Sequence, residues 1–219
     1  METDLSYTWE ALPRLLQGAT ITIGVSVAAM AFSIVLGTLL TLLRTTGGRT
    51  AEIAVRGYIS YVRGTPLLVQ ILLVFYVVPR IAFEIPPIVA GILALGLSSA
   101  AFTTEIMRGG LSAIPKTQIE AAQSLGLSSF SIWTRILLPQ MFNLILPPLV
   151  NEFTLVIKGS PLISVITVVE MMRVAQQIYN ENYRPFEVLL GVAIIFFVIN
   201  FTLTRFAGRV ERRIAVRLA

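Results

Sequence analysis

The stretch from Leu15 to Leu43, LLQGATITIGVSVAAMAFSIVLGTLLTLL, contains no charged residue. An α-helix rises about 1.5 Å per residue, so this stretch can cross the roughly 30 Å hydrocarbon core of a bilayer. It follows an acidic, polar start (Glu2, Asp4, Glu10) without an early basic segment, which is unlike a cleaved signal peptide. The sequence therefore predicts a retained membrane-spanning helix.

The composition of the whole chain is that of a membrane protein. Of its 219 residues, 55% are hydrophobic and 13% are charged, with a mean hydropathy of +0.80, whereas soluble domains carry about a quarter charged residues. The chain has no histidine and no cysteine, which excludes disulfides, imidazole and thiolate metal sites, and cysteine nucleophiles. We therefore expect no catalytic residue and no metal site.

Further apolar stretches predict an all-α, polytopic fold in a single transmembrane domain over residues 1–219. The five predicted spans cover about residues 15–43, 57–78, 85–107, 132–157 and 186–206. The second span carries Arg63 and is expected to end at Pro79. Between the fourth and fifth spans, the apolar run that begins at Gly159 is too short to cross, so residues 159–183 are predicted to form a short helical or re-entrant segment near the outer face.

The distribution of basic residues predicts which side each end of the chain faces. Five spans place the termini on opposite sides, and Lys and Arg concentrate in cytoplasmic segments. With the N-terminus outside and the C-terminus inside, only Arg14, Arg80, Arg173 and Arg184 lie outside. The cytoplasmic side then holds Arg44, Arg49, Arg56, Arg63, Arg108, Lys116, Arg135, Arg205, Arg209, Arg212, Arg213 and Arg217.

The cytoplasmic loop of about residues 109–131 is predicted to contain a short amphipathic helix. Thr117 and Glu120 have the spacing of a capping box, and Gly126 is the residue type that ends a helix in a left-handed turn. Ile119, Ala122 and Leu125 share one face of such a helix. A helix this short is marginal alone, so its apolar face is expected to pack on a partner, on the bilayer or on the chain's own spans.

Ionisable residues at membrane depth are candidates for function because each is costly there unless paired or hydrated. Glu152 and Lys158 point about 240° apart on a regular helix, so an ion pair between them is not expected, whereas Asn151 and Lys158 share a face. Gly159 and Pro161 predict a helix break just after Lys158. The predicted substrate-path residues are Asn151, Glu152, Lys158, Gly159 and Ser160. Structural roles remain the alternative, with Glu152 bonded to a neighbouring span or subunit and Lys158 reaching the surface.

Three further charged residues in the spans have simple structural interpretations. Glu105 and Arg108 are three residues apart and are expected to form an ion pair on a helix surface. Arg63 is interpreted as a positive anchor at the inner end of the second span.

Several motifs occur together and in a fixed order. They are Arg63-Gly64-Thr65-Pro66-Leu67-Leu68-Val69-Gln70, Glu105-Ile106-Met107-Arg108-Gly109-Gly110, Ala113-Ile114-Pro115-Lys116, Glu120-Ala121-Ala122 with Gly126, and Ile136-Leu137-Leu138-Pro139-Gln140. This set resembles the permease subunits of ABC importers of the polar amino-acid branch, whose EAA loop docks on an ATPase. The chain departs from that pattern in having Thr117-Gln118 instead of Gly-Gln, and Lys158-Gly159-Ser160-Pro161-Leu162 instead of Lys-Asp-Thr-Ser-Leu.

The resemblance implies a transport subunit of the bacterial inner membrane that is not itself an enzyme. It implies ATPase coupling through Glu120, Ala121, Ala122, Leu125 and Gly126, and a substrate ammonium bound by Glu152. The chain has no Gly-x-x-x-x-Gly-Lys-Ser/Thr loop, so we expect no cofactor here, with ATP and Mg bound by a partner subunit.

The other partners implied are a second permease subunit, identical or related, an external solute-binding protein, an amino-acid substrate and membrane lipid, but no nucleic acid. Alternative substrates are opines, sulfur amino acids and betaine-like solutes. Alternative classes are a stand-alone secondary transporter or channel, and a non-transporting membrane scaffold.

Overall fold

The computed structural model describes residues 6–81 and 83–218, with side chains up to residue 209 and at 211 and 212. Glu2, Asp4 and the side chains of Arg213 and Arg217 lie outside this part. The described residues are helical and contain no strand. In chain order the helices are α1 Ser6–Thr46, α2 Gly48–Gly64, α3 Leu67–Ile81, α4 Pro87–Ser112, α5 Lys116–Ser124, α6 Ser129–Ile132, a π-helical turn Trp133–Leu137, α7 Leu138–Gly159, a 3-10 helix Ser160–Ile166, α8 Met171–Asn182 and α9 Pro185–Leu218.

The membrane-spanning segments match the all-α, polytopic prediction. In the described part, four segments are long and apolar enough to cross a membrane, namely Ser6–Thr46, Pro87–Ser112, Ser129–Ile166 and Pro185–Arg209. Helices α2 and α3 supply a fifth span if they are taken together.

The second predicted span is not a continuous helix, contrary to the sequence interpretation. Helices α2 and α3 meet at an angle of 111°, because Thr65 precedes a proline and adopts an extended conformation with φ −117° and ψ 141°. The buried Gln70 amide holds the bend by donating to the carbonyl oxygens of Val62 (2.9 Å) and Thr65 (3.0 Å). The expected end at Pro79 is also wrong, since α3 continues to Ile81 and Pro79 costs it one backbone hydrogen bond.

Helix α1 packs along α4 at the centre of the bundle. Gly37 of α1 lies so close to α4 that an added Cβ would be 2.7 Å from the Thr103 methyl group. One turn away, the buried Ser33 hydroxyl bonds to the Ser99 hydroxyl at 3.0 Å and to the Thr103 hydroxyl at 2.7 Å. Small residues and interhelical hydroxyl bonds are a usual means of packing helices in lipid, where the hydrophobic effect does not favour association.

The segment after the fourth span forms two short helices, as predicted for residues 159–183. The α-helical hydrogen-bonding pattern ends at Gly159, next to Lys158, and passes into the 3-10 helix. Helix α8 then begins at Met171 and packs on α1 and α9, with Met171, Val174 and Ala175 in a cluster that includes Leu15 and Val188. The break predicted just after Lys158 is therefore only a change from α-helical to 3-10 geometry, and the helical run ends before Thr167, which is left-handed.

Candidate substrate cavity and coupling loop

A cavity of about 280 Å³ lies between the α2–α3 bend, α4 and α7. Its polar lining residues are Arg63, Thr65, Gln70, Ser98, Ser99 and Glu152, and the rest of its wall is apolar. The bend between α2 and α3 brings Arg63 to this wall. The cavity therefore depends on the break in the second span that the sequence interpretation missed.

The cavity is lined by one cationic and one anionic side chain, Arg63 and Glu152. Within the described residues neither forms an ion pair. The Arg63 guanidinium lies 6.0 Å from the centre of the Phe102 ring, and the Glu152 carboxylate interacts with the Ser99 hydroxyl. Glu152 is buried, with 6% of its surface exposed. Two opposite charges that do not pair with each other are available to a ligand that carries both signs.

Arg63 was interpreted from sequence as a positive anchor, and its place in this cavity was not predicted. The sequence does contain an indication of this position, because Arg63 directly precedes Gly64-Thr65-Pro66, a helix-breaking run inside an apolar span. Irregular backbone at membrane depth is tolerated only where it is buried in protein or lines a cavity.

The other predicted substrate-path residues do not line this cavity. Asn151 and Lys158 are exposed, as expected from their shared face, and Lys158 lines a separate groove between α7 and α9 with Pro161 and Phe197. Gly159 packs against Leu67, and the buried Ser160 hydroxyl donates to the Ile157 carbonyl at 2.8 Å. The structure thus separates Glu152 from these four neighbours, and no ion pair joins Glu152 to Lys158 in the described part of the chain.

Glu105 forms the predicted ion pair with Arg108, at 2.8 Å between Oε2 and Nη2. Arg44 from the end of α1 binds the other carboxylate oxygen, a contact not predicted from sequence. This cluster joins α1 to α4 at the predicted inner end of the bundle. Both oxygens of the Glu105 carboxylate are thus bound by guanidinium groups.

The loop of about residues 109–131, which we call the coupling loop after the role predicted for it, contains the predicted short helix α5. The start of this helix differs from the prediction. The N-cap is Pro115 and no side chain caps the helix, so the proposed capping box of Thr117 and Glu120 is wrong. Both residues lie inside α5, because Pro115 fixes the extended entry to the helix two residues earlier than expected.

The end of α5 is as predicted. Gly126 has φ +75°, and the amides of Gly126 and Leu127 donate to the carbonyls of Gln123 (2.9 Å) and Ala122 (3.1 Å). This pattern is a Schellman motif, in which a left-handed glycine closes the helix.

The apolar face of α5 is only partly as predicted. Ala122 is buried and Ile119 half-buried in a small core with Ile114 and Ile132, so this face packs on the chain itself. Leu125, expected on the same face, is 82% exposed because the helix ends at Ser124. Gln118 also bonds to Gln140 at 2.7 Å, which ties α5 to α7.

Several side chains at the surface of the loop are exposed. Glu120 and Ala121 are exposed on α5. The large apolar side chains of Leu125 and Phe130 are 82% and 77% exposed. Exposed apolar groups beside polar ones are typical of a protein-docking surface.

A membrane bundle with an interrupted helix, a charged internal cavity and a loop with exposed apolar side chains is the architecture of a transport subunit. The chain belongs to the family described as binding-protein-dependent transport system inner membrane component, whose model matches residues 33–216. It is therefore a multi-pass membrane subunit of such a transport system.

Relatives cover nearly the whole chain. The glutamine transport system permease protein GlnP of Escherichia coli (strain K12) is 35% identical over 99% of this chain and 100% of its own length. The arginine transport system permease protein ArtQ of Bacillus subtilis (strain 168) is 35% identical over 98% of both. The octopine transport system permease protein OccM of Rhizobium radiobacter is 35% identical over 94% of this chain and 87% of its own.

Solved structures agree with the fold. A crystal structure of an amino acid ABC transporter with histidines matches with a TM-score of 0.90 and 32% identity, covering 97% of this chain and 100% of that one. The MetNI methionine ABC transporter, in an inward-facing conformation, matches with a TM-score of 0.69 and 19% identity over 90% of this chain and 95% of that one, which supports the fold alone.

Proposed function

We propose that this chain is the permease subunit of an ATP-driven, binding-protein-dependent importer of amino acids in a bacterial inner membrane. It forms half of the translocation pathway with a second permease subunit, identical or related. ATP and Mg are bound by separate ATPase subunits, and an external binding protein delivers the solute. The relatives named for glutamine and arginine transport support this substrate class.

The cavity between the α2–α3 bend and α7 carries the argument for an amino-acid substrate. Arg63 can bind an α-carboxylate with two hydrogen bonds, and Glu152 can bind an α-ammonium. Both charges line the same cavity, and neither forms an ion pair with a described side chain. Asn151, Lys158, Gly159 and Ser160 remain substrate-path predictions, with Lys158 lining a separate groove.

The exposed groups of the coupling loop support docking on an ATPase. Glu120, Ala121, Leu125 and Gly126 lie on the surface of the loop, whereas Ala122 supports the loop from inside. Since Ile119 and Ala122 already pack on the chain, the docking contacts are Glu120, Ala121 and the exposed Leu125.

Replacing Glu152 by Gln tests the ammonium contact. In proteoliposomes containing the whole importer, E152Q should raise the apparent KM for amino-acid uptake at least about tenfold, since a hydrogen bond between charged groups is lost. The matched control is E187Q, which changes an equally buried glutamate that pairs with Arg184 outside the cavity. An unchanged KM in E152Q would remove Glu152 from the substrate site.

A purification tests the assembly itself. The tagged chain, extracted gently from its native membranes, should carry an ATPase with it, and a binding protein trapped in the complex should carry an amino acid. A chain that comes down without an ATPase would instead indicate a secondary transporter, a channel or a scaffold. An opine or a betaine in the binding protein would replace the proposed substrate.

A further inference from the structure

We propose that the cavity selects amino acids whose side chains are uncharged. This inference rests on the proposed function, in which Arg63 and Glu152 bind the two backbone charges of the substrate. It names the class of side chain that the remaining wall accepts.

The charge balance of the cavity limits which substrates it can bind. Among its lining residues, Arg63 is the only cation and Glu152 the only anion. The carboxylate and ammonium groups of a zwitterion use both of them. A charged substrate side chain would then find no partner on the described wall.

Two other charged residues, Glu105 and Lys158, are engaged elsewhere or line another space. Glu105 lines a neighbouring cavity that also touches Arg63, but its two oxygens are held by Arg44 and Arg108. Lys158 lines the groove between α7 and α9 and is absent from this wall. Neither group can neutralise a substrate side chain in the cavity.

The polar groups of the wall are mostly committed as well. The Gln70 amide nitrogen donates to backbone oxygens of Val62 and Thr65, and the Ser99 hydroxyl accepts from Ser33. The Ser98 hydroxyl and the Gln70 amide oxygen are left, together with apolar groups such as Leu67, Leu95 and Val156. This surface suits an apolar or neutral polar side chain.

A charged side chain would be penalised for two reasons. A cationic side chain would be repelled by Arg63 and would compete with the α-ammonium for Glu152. An anionic side chain would be repelled by Glu152 and would compete with the α-carboxylate for Arg63. Desolvating a charge without a partner is also costly in an apolar cavity. The cavity should therefore discriminate against both signs.

Equilibrium binding to the permease–ATPase complex, purified without its solute-binding protein, tests this selectivity directly. The probes are radiolabelled glutamine, methionine, arginine and glutamate. Glutamine and methionine should bind at least about tenfold more tightly than arginine or glutamate. Omitting the binding protein separates the selectivity of the cavity from that of the delivery step.

Adding a carboxylate to the cavity wall should extend its selectivity toward cationic side chains. S98D adds a carboxylate to the wall and should strengthen arginine binding at least about tenfold, whereas the uncharged isostere S98N should not. Arginine or glutamate binding as tight as glutamine binding in the unmodified complex would overturn this inference alone. Binding of betaine but of no amino acid would overturn the proposed function together with it.

Discussion

Glu170 and Glu152 are both buried, but their surroundings differ. Glu170 is fully buried at the start of α8, where its carboxylate accepts hydrogen bonds from the amides of Met172 (2.9 Å) and Arg173 (2.8 Å) and from the Thr22 hydroxyl (3.3 Å). Glu152 interacts with one hydroxyl and lines a cavity. The first is a helix cap that joins α8 to α1, and the second keeps acceptor capacity for a ligand.

The pH dependence of stability should report on Glu170. Burial is the largest influence and raises the pKa of this carboxyl, although its hydrogen bonds act in the opposite direction. A raised pKa in the folded state means that folding favours the protonated form. The stability is therefore fully present below the ordinary glutamate pKa of about 4.3 and falls as the pH rises toward the raised value.

Thermal unfolding in detergent across this pH range measures the effect. E170Q should flatten the decline of Tm with rising pH, because glutamine does not titrate. The control E181Q removes an exposed carboxyl whose pKa is lowered by its hydrogen bond from Arg14, so it should leave this decline in place. An equal decline in E170Q and the unmodified protein would contradict the assignment.

At the scale of helices, the α1–α4 contact depends on the absence of a side chain at Gly37. A Cβ there would lie 2.7 and 2.9 Å from side-chain atoms of Thr103 and 3.3 Å from the Thr104 amide nitrogen. The helices would have to move apart, which would also strain the bonds from Ser33 to Ser99 and Thr103. Because Ser99 lines the cavity and interacts with Glu152, a shift of α1 relative to α4 would also change the cavity wall.

We expect G37A to reduce the free energy of unfolding by about 1–3 kcal/mol, the usual cost of overpacking. Unfolding with a denaturing detergent gives the measurement. Gly24 lies on the same helix, and an added Cβ there would meet nothing within 4 Å. G24A should therefore be neutral or stabilising by up to about 1 kcal/mol through helix propensity, and a similar loss in both variants would show that the α1–α4 contact is not the cause.

At the scale of the whole molecule, transport requires that a change at the cytoplasmic loop reach the cavity. The loop core of Ile114, Ala122, Ile132 and Leu137 is continued by Met141 toward a second cluster that contains Ile145 and Leu149. Helix α7 then leads to Glu152. A continuous packed path thus links the proposed docking surface to the proposed substrate site.

G126V should abolish ATP-driven uptake while the protein remains inserted in the membrane. Gly126 has φ +75°, and a β-branched residue cannot adopt this conformation without strain. E120K should have the same effect by reversing an exposed charge of α5. Uptake and ATPase activity of the reconstituted importer are the measurements.

The control for G126V is G109V, since Gly109 is helical and an added Cβ there would meet nothing within 4 Å. This variant should transport normally. Full activity in both G126V and E120K would eliminate the coupling role of the loop.

The class of fold and most of the loop follow from local features of the sequence. The charge-free run of Leu15 to Leu43 predicts a span because hydropathy and length are local properties. Gly126 predicts the end of α5 for the same reason, since a left-handed residue is a local requirement. The predicted capping box is absent because α5 begins after Pro115 and not after Thr117. The prediction that Leu125 shares the apolar face is wrong because α5 ends at Ser124.

The residues that line the cavity depend instead on how the helices pack together. Arg63, Ser99 and Glu152 are far apart in sequence, and they meet because the second span bends by 111° and because α4 lies between α1 and α7. The same packing places Lys158 in another groove, although it is only six residues from Glu152. Local patterns fix which segments enter the membrane, whereas the side chains that share a cavity depend on contacts between helices that no single segment encodes.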